Sequence, residues 1–222
     1  MKFNPKIHHR KSIRLKNYDY SQTGFYFITL CCQNHKYLFG EIVGEKMILN
    51  VAGKMIENIW NEIPIYYNGF NPHEFIVMPN HFHGIIEILW DKGQPVGAGP
   101  RACPTIVENK GQPQGVAPTT AINPTTLGDI VHRFKTLTTK RYINGVKNNN
   151  WQRFDGKLWQ RNYWEHIIRN ENEYQDITEY IINNPLKWDI DKLNNDNTNK
   201  IMESQNQYSV SNSCPKKEVW MV

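Results

Sequence analysis

The chain has 222 residues and carries 26 Lys and Arg against 21 Asp and Glu, for a net charge of +5, which suits one ordinary domain with appendages rather than two independent cores. No stretch approaches the eighteen or so apolar residues of a membrane span, and the first twenty lack the apolar region of a signal peptide, so a cytoplasmic protein is expected. Cys31, Cys32, Cys103 and Cys214 form no CxxC pair, which argues against a disulfide framework or a zinc knuckle.

In chain order, residues 1–20 form a basic arm in which His8, His9, Arg10, Lys11, Arg14 and Lys16 crowd together, as either a polyanion contact or a solvated leader. Phe25 to Leu30 is a β-branched and aromatic run after Gly24 and reads as a first strand. From Lys46 to Ile63 the residues Val51, Met55, Ile56, Ile59 and Trp60 recur at helical spacing, and Pro64 ends the pattern. Glu74–Met78 and Gly84–Leu89 read as an antiparallel strand pair joined through Pro79-Asn80.

Residues 91–126 turn abruptly to Gly, Pro, Ala, Gln and Thr, with a crude two-copy repeat, and read as a flexible insertion. A helix resumes at Leu127, with Leu127, Ile130, Val131, Phe134 and Leu137 on one face and Arg133, Lys135, Lys140 and Arg141 largely off it. Leu158 to Ile168 suggests an extended segment, and Asn172 to Asn184 a final helix stopped before Pro185. Residues 191–222 are rich in Asn, Asp, Lys and Ser and read as a loosely ordered tail. The order strand, helix, strand, strand, helix, strand, helix predicts an α+β, ferredoxin-like sandwich spanning 21–190, with helices on one face of an antiparallel sheet.

His81-Phe82-His83 opens the third of these strands, where residues i and i+2 project to one face, so both imidazoles can reach one metal ion. Two nitrogens do not complete a coordination sphere, so a third protein group is needed. Alone, the triplet also fits surface or hydrogen-bonded histidines.

Met78-Pro79-Asn80-His81-Phe82-His83-Gly84-Ile85-Ile86 closely resembles the HUH motif of the REP-associated tyrosine transposases, single-tyrosine HUH endonucleases. Leu158 to Asn170 and Tyr180-Ile181-Ile182-Asn183-Asn184-Pro185 resemble that family's second signature. The resemblance covers roughly residues 20 to 190, apart from the insertion. It implies an HUH-type fold and a tyrosine nucleophile, by position Tyr180, that forms a 5′-phosphotyrosine bond with single-stranded DNA beside a divalent ion, Mg²⁺ or Mn²⁺. It implies palindromic hairpin repeats as targets, and a monomer or a homodimer.

Asn184 lies four residues after Tyr180 on the same helix face, close enough to supply the missing third ligand. Tyr174 is roughly 600° round the axis from Tyr180, hence on a different face, and Tyr163 reads as a strand aromatic or a base-stacking residue. Arg133, Lys135, Lys140, Arg141, Arg161, Trp164 and Arg169 are candidate DNA contacts, with soluble surface or core packing as the plain alternative. His166 receives no metal role. Two further functions fit: a ferredoxin-like module that grips nucleic acid through sheet aromatics without cutting it, and a replication-initiator or relaxase-type nuclease.

Overall fold

The computed structural model describes residues 14–66, 69–89 and 126–194. Its elements are β1 (Gly24–Cys31), β2 (Gly40–Val43), β3 (Lys46–Leu49), α1 (Val51–Asn61), the single turn α2 (Ile63–Tyr66), β4 (Phe70–Val77), β5 (His81–Ile88), α3 (Leu127–Asn148), β6 (Trp164–Ile168) and α4 (Glu171–Ile182). A 3₁₀ turn, Pro185–Ile190, follows α4. The arm up to residue 13, the insertion up to 125 and the tail beyond 194 lie outside the described residues.

The main sheet has the order β4-β5-β1-β6, and every neighbouring pair is antiparallel. β5 therefore sits between β1 and β4, and β1 between β5 and β6, which makes two split βαβ units and the ferredoxin-like topology expected from the element order. Pro72 is tolerated because β4 is an edge strand, bulged between Pro72 and Phe75.

One expected helix divides in two. Lys46–Leu49 is a strand that pairs with Gly40–Val43 across a two-residue turn in which Gly44 and Glu45 both have positive φ, the geometry a right-twisted hairpin prefers. α1 begins only at Val51, where the Asn50 side chain accepts from Gly53 N at 2.9 Å. Thr126, assigned to the insertion, is instead the N-cap of α3, in a reciprocal capping box with Asp129.

The helices divide between the two faces of the sheet. α1 and α3 cover one face around Trp60, Phe82 and Phe134, whose ring centroids lie 4.8–5.3 Å apart. A Cβ on Gly84 would stand 2.9 Å from both Phe82 and Trp60, so only glycine lets α1 approach here. α4 departs from the expected single layer and packs Ile177 and Ile181 on the other face, against Ile85 and Ile168. Both arrangements follow from the strand period of two, which sends Phe82, Ile86 and Ile88 one way and His81, His83 and Ile85 the other.

The ends of the domain are tied down further than composition suggests. Arg14 pairs with Glu165 and lies 3.9 Å over the Tyr163 ring. At the other end Asn194 is buried, accepting from the Tyr37 hydroxyl at 2.7 Å and donating to Trp188 O at 3.0 Å.

Candidate active site

The two histidines are aimed by a turn that three backbone segments hold. Cys32 N donates to Asn80 O at 2.8 Å, while Leu38 N and Phe39 N both donate to Pro79 O. Asn80 is fully buried, and its amide nitrogen donates to Leu193 O at 2.6 Å and to His35 O at 3.3 Å. Those two carbonyls fix the amide's orientation, so Asn80 Oδ1 accepts from His81 Nδ1 at 2.8 Å. His81 thus carries its proton on Nδ1, and Nε2 presents a bare lone pair. That nitrogen is buried and reaches no hydrogen-bond partner.

His83 is 2 % exposed. Its Nδ1 lies 2.8 Å from Thr29 Oγ1, its ring stacks on Phe27, and its Nε2 faces the Tyr180 hydroxyl at 3.4 Å. The two imidazoles are neighbours, with centroids 4.6 Å apart. Burial holds both neutral: His83 is pushed down to about 3, and His81 well below its ordinary value by burial and then by His83 beside it.

Asn184 lies past the end of α4, which stops at Ile182 rather than at Asn184 because Pro185 has no N–H to continue the ladder. Its backbone keeps helical angles, φ −58 and ψ −41, so its side chain still falls one turn beyond Tyr180. The Asn184 amide faces both His81 and Tyr180, and its buried Oδ1 has no hydrogen-bond partner. Tyr180 is pushed up to about 12, first by burial and then by the Asp191 carboxylate, with Asn184 opposing the shift.

Two neutral imidazoles, one with an orphaned lone pair, and an orphaned amide oxygen form a donor set that a divalent ion would satisfy. No three His, Cys, Asp or Glu side chains cluster for a metal among the described residues, so Asn184 is the third protein donor the geometry offers. Burial makes the Tyr180 hydroxyl harder to ionise, and a positive charge beside it would oppose that shift.

An uncharacterized protein of Haemophilus influenzae is 43% identical over 192 residues, covering 86% of this chain and 97% of that protein. The chain belongs to that protein's family. No family model matches. Among solved structures, that of a REP-associated tyrosine transposase bound to a REP hairpin aligns at TM-score 0.44 and 17% identity, covering 79% of this chain and 74% of that one.

Within this family member the rival tyrosines have other surroundings. Tyr163 is buried beneath Arg14, away from the histidine pair. Tyr174 sits elsewhere round α4 from Tyr180, as six helical residues dictate, and although both pack against the same face of the sheet, Tyr174 meets β4, where its hydroxyl lies 3.1 Å from His73 Nδ1. Both rotation round the helix and distance along it separate the two tyrosines.

The basic residues do not converge on the site. Arg133, Lys140 and Arg141 are exposed on α3, across the sheet from the histidines, and Arg141 pairs with Glu62 at 2.9 Å. Lys135 is a clamp, donating to the carbonyls of Gln160 and Asn162, both at 2.9 Å. Trp159 belongs to the core, while Trp164, Arg161 and Arg169 stay exposed. His166 pairs with Glu173 at 2.5 Å.

Sequence reasoning missed Thr29 and the orienting role of Asn80. Thr29 carried a readable signal as the one polar residue in an apolar strand, on the same alternate face as Phe25 and Phe27.

No helix among the described residues is long and apolar enough to cross a membrane.

Proposed function

We propose that the protein is a divalent-metal-dependent nuclease and strand transferase acting on single-stranded DNA, with Tyr180 as nucleophile, in DNA transposition or repeat mobilisation. The observation that carries this reading is that His81, His83, Asn184 and the Tyr180 hydroxyl are neighbours on one face of the sheet, with both imidazoles and the amide buried. A binding module needs no such convergence. The sheet also has helices packed on both faces, so it offers no broad bare face of the kind on which RNA-recognition modules stack successive bases.

His81, His83 and Asn184 would hold Mg²⁺ or Mn²⁺. When bound, the ion would polarise the scissile phosphate and offset developing negative charge. The residues do the rest. Asn80 and Thr29 keep the two rings in register, and Phe27 fixes the plane of His83. The Tyr180 oxygen attacks phosphorus and gives up its proton as the new phosphotyrosine bond forms. The bond from phosphorus to the 3′ oxygen breaks, and that oxygen takes up a proton. One phosphodiester replaces another, so no external energy source is needed, and a second 3′-hydroxyl can reverse the step to rejoin strands.

The proposed substrate is a hairpin-forming repeat strand. Labelled hairpin strands from the gene's own neighbourhood, incubated with Mg²⁺ or Mn²⁺, should yield a covalent protein–DNA adduct. His81→Ala and His83→Ala should abolish it while retaining much of the affinity, because Lys and Arg contacts to phosphate supply most of the binding. Full cleavage by either variant would remove the metal assignment.

A further inference from the structure

A cavity opens on the α4 side of the sheet, lined by none of His81, His83, Tyr180 and Asn184. It measures about 280 Å³, and its lining includes Phe25, His73, Ile168, Arg169, Glu171 and Tyr174. Phe25, His73 and Tyr174 form a cup of three mutually edge-on rings, with centroids 5.1–5.9 Å apart and interplanar angles of 68–89°. Hydrogen bonds lock the cup. His73 Nε2 lies 2.8 Å from Glu87 Oε2 and Nδ1 lies 3.1 Å from the Tyr174 hydroxyl. Nothing in the proposed cleavage chemistry uses these residues.

We infer that this cavity receives one unpaired nucleobase of the single-stranded DNA, stacked against Phe25 and Tyr174, with its phosphate held at the mouth by Arg169. An aromatic wall takes any base by its π-face. Exposure orders the ligand: Phe25, His73 and Tyr174 are half-buried, whereas the charged lining residues Arg169 and Glu171 are both exposed, so the rings lie deeper than the charges. The base therefore enters and the backbone stays outside. Tyr174 precedes Tyr180 by six helical residues, about 9 Å along the axis, or about three nucleotides of stacked strand. A base seated there would set the register of the strand at Tyr180, and this much rests on the proposed nuclease reading.

The test uses full-length protein in EDTA, so it requires neither metal nor cutting, and compares a fluorescent 15-nucleotide dC strand with a fully abasic strand of the same length. Phe25→Leu should weaken binding of the dC strand roughly five- to a hundredfold, as loss of base stacking does, and leave the abasic strand unchanged. Tyr174→Leu is the second variant, used if Phe25→Leu fails to fold. Arg169→Gln should weaken both strands equally, as a phosphate contact does. If the ring variants weaken both strands alike, or neither, the base pocket is overturned even where cleavage is intact. If base dependence persists in a protein that forms no adduct, the nuclease reading fails and the pocket stands.

Discussion

The two faces of β5 differ as sharply as any two regions of the molecule. On one, Phe82, Ile86 and Ile88 join Trp60 and Phe134 in a dry core. On the other, a step of one residue along the strand, His81 and His83 are as deeply buried yet leave His81 Nε2 and Asn184 Oδ1 without partners. Burial of apolar rings stabilises the fold, whereas burial of unsatisfied polar atoms costs stability. The first face holds the strand in place, and the second uses that rigidity to keep a costly constellation together.

The strongest way to sharpen this contrast is Tyr180→Phe, which removes only the attacking oxygen. Adduct formation should vanish completely, while stability changes by no more than about 1 kcal/mol because ring and volume are kept. A surviving adduct would move the nucleophile elsewhere, and Tyr174→Phe and Tyr163→Phe would locate it. On the opposite face, Phe134→Ala should cost about 3–5 kcal/mol in a denaturant titration. A loss below 1 kcal/mol would mean that the ring cluster is not the principal core.

The histidine face should show itself in acid. Both folded histidines lie below the ordinary value of 6.5, His83 at about 3, so the unfolded chain takes up protons first. Stability of the metal-free protein should be full above pH 6.5 and fall as pH drops toward 3, by about 2.7 kcal/mol per unit where two protons are taken up. A flat profile between pH 6.5 and 4 would contradict neutral burial. The smallest effect is expected from Thr29→Val, which keeps the shape of the side chain but removes the partner of His83 Nδ1. Loss of such an orienting group should lower Mn²⁺ affinity about 10- to 100-fold; unchanged affinity in a calorimetric titration would show that Thr29 does not orient the ring.

Much was legible where a local pattern carried the information. Alternation along Phe25 to Leu30 and through His81-Phe82-His83 exposed the strands, and the spacing of Tyr180 and Asn184 placed both on one helix turn. The hairpin at Gly40–Leu49 was not legible, because Lys46 to Leu49 runs into a helical period that starts only after the Asn50 cap, and the turn before it rests on two positive φ angles at Gly44 and Glu45. Nor was the fate of the charged residues. Lys135 and Arg133 look alike in sequence, but one clamps two carbonyls and the other faces outward.

By itself the sequence determined the strands and helices of the main sheet and hence its ferredoxin-like topology, since period, caps and proline stops act within a few residues, while the candidate ligands came from the His-x-His alternation read together with the family resemblance. Only the tertiary structure decided that α4 crosses to the second face, that Asn80 is locked by Leu193 more than a hundred residues away, and that Tyr174 looks into a cavity of its own. Those outcomes depend on which groups meet across distant strands, where burial and hydrogen-bond satisfaction outweigh any local preference.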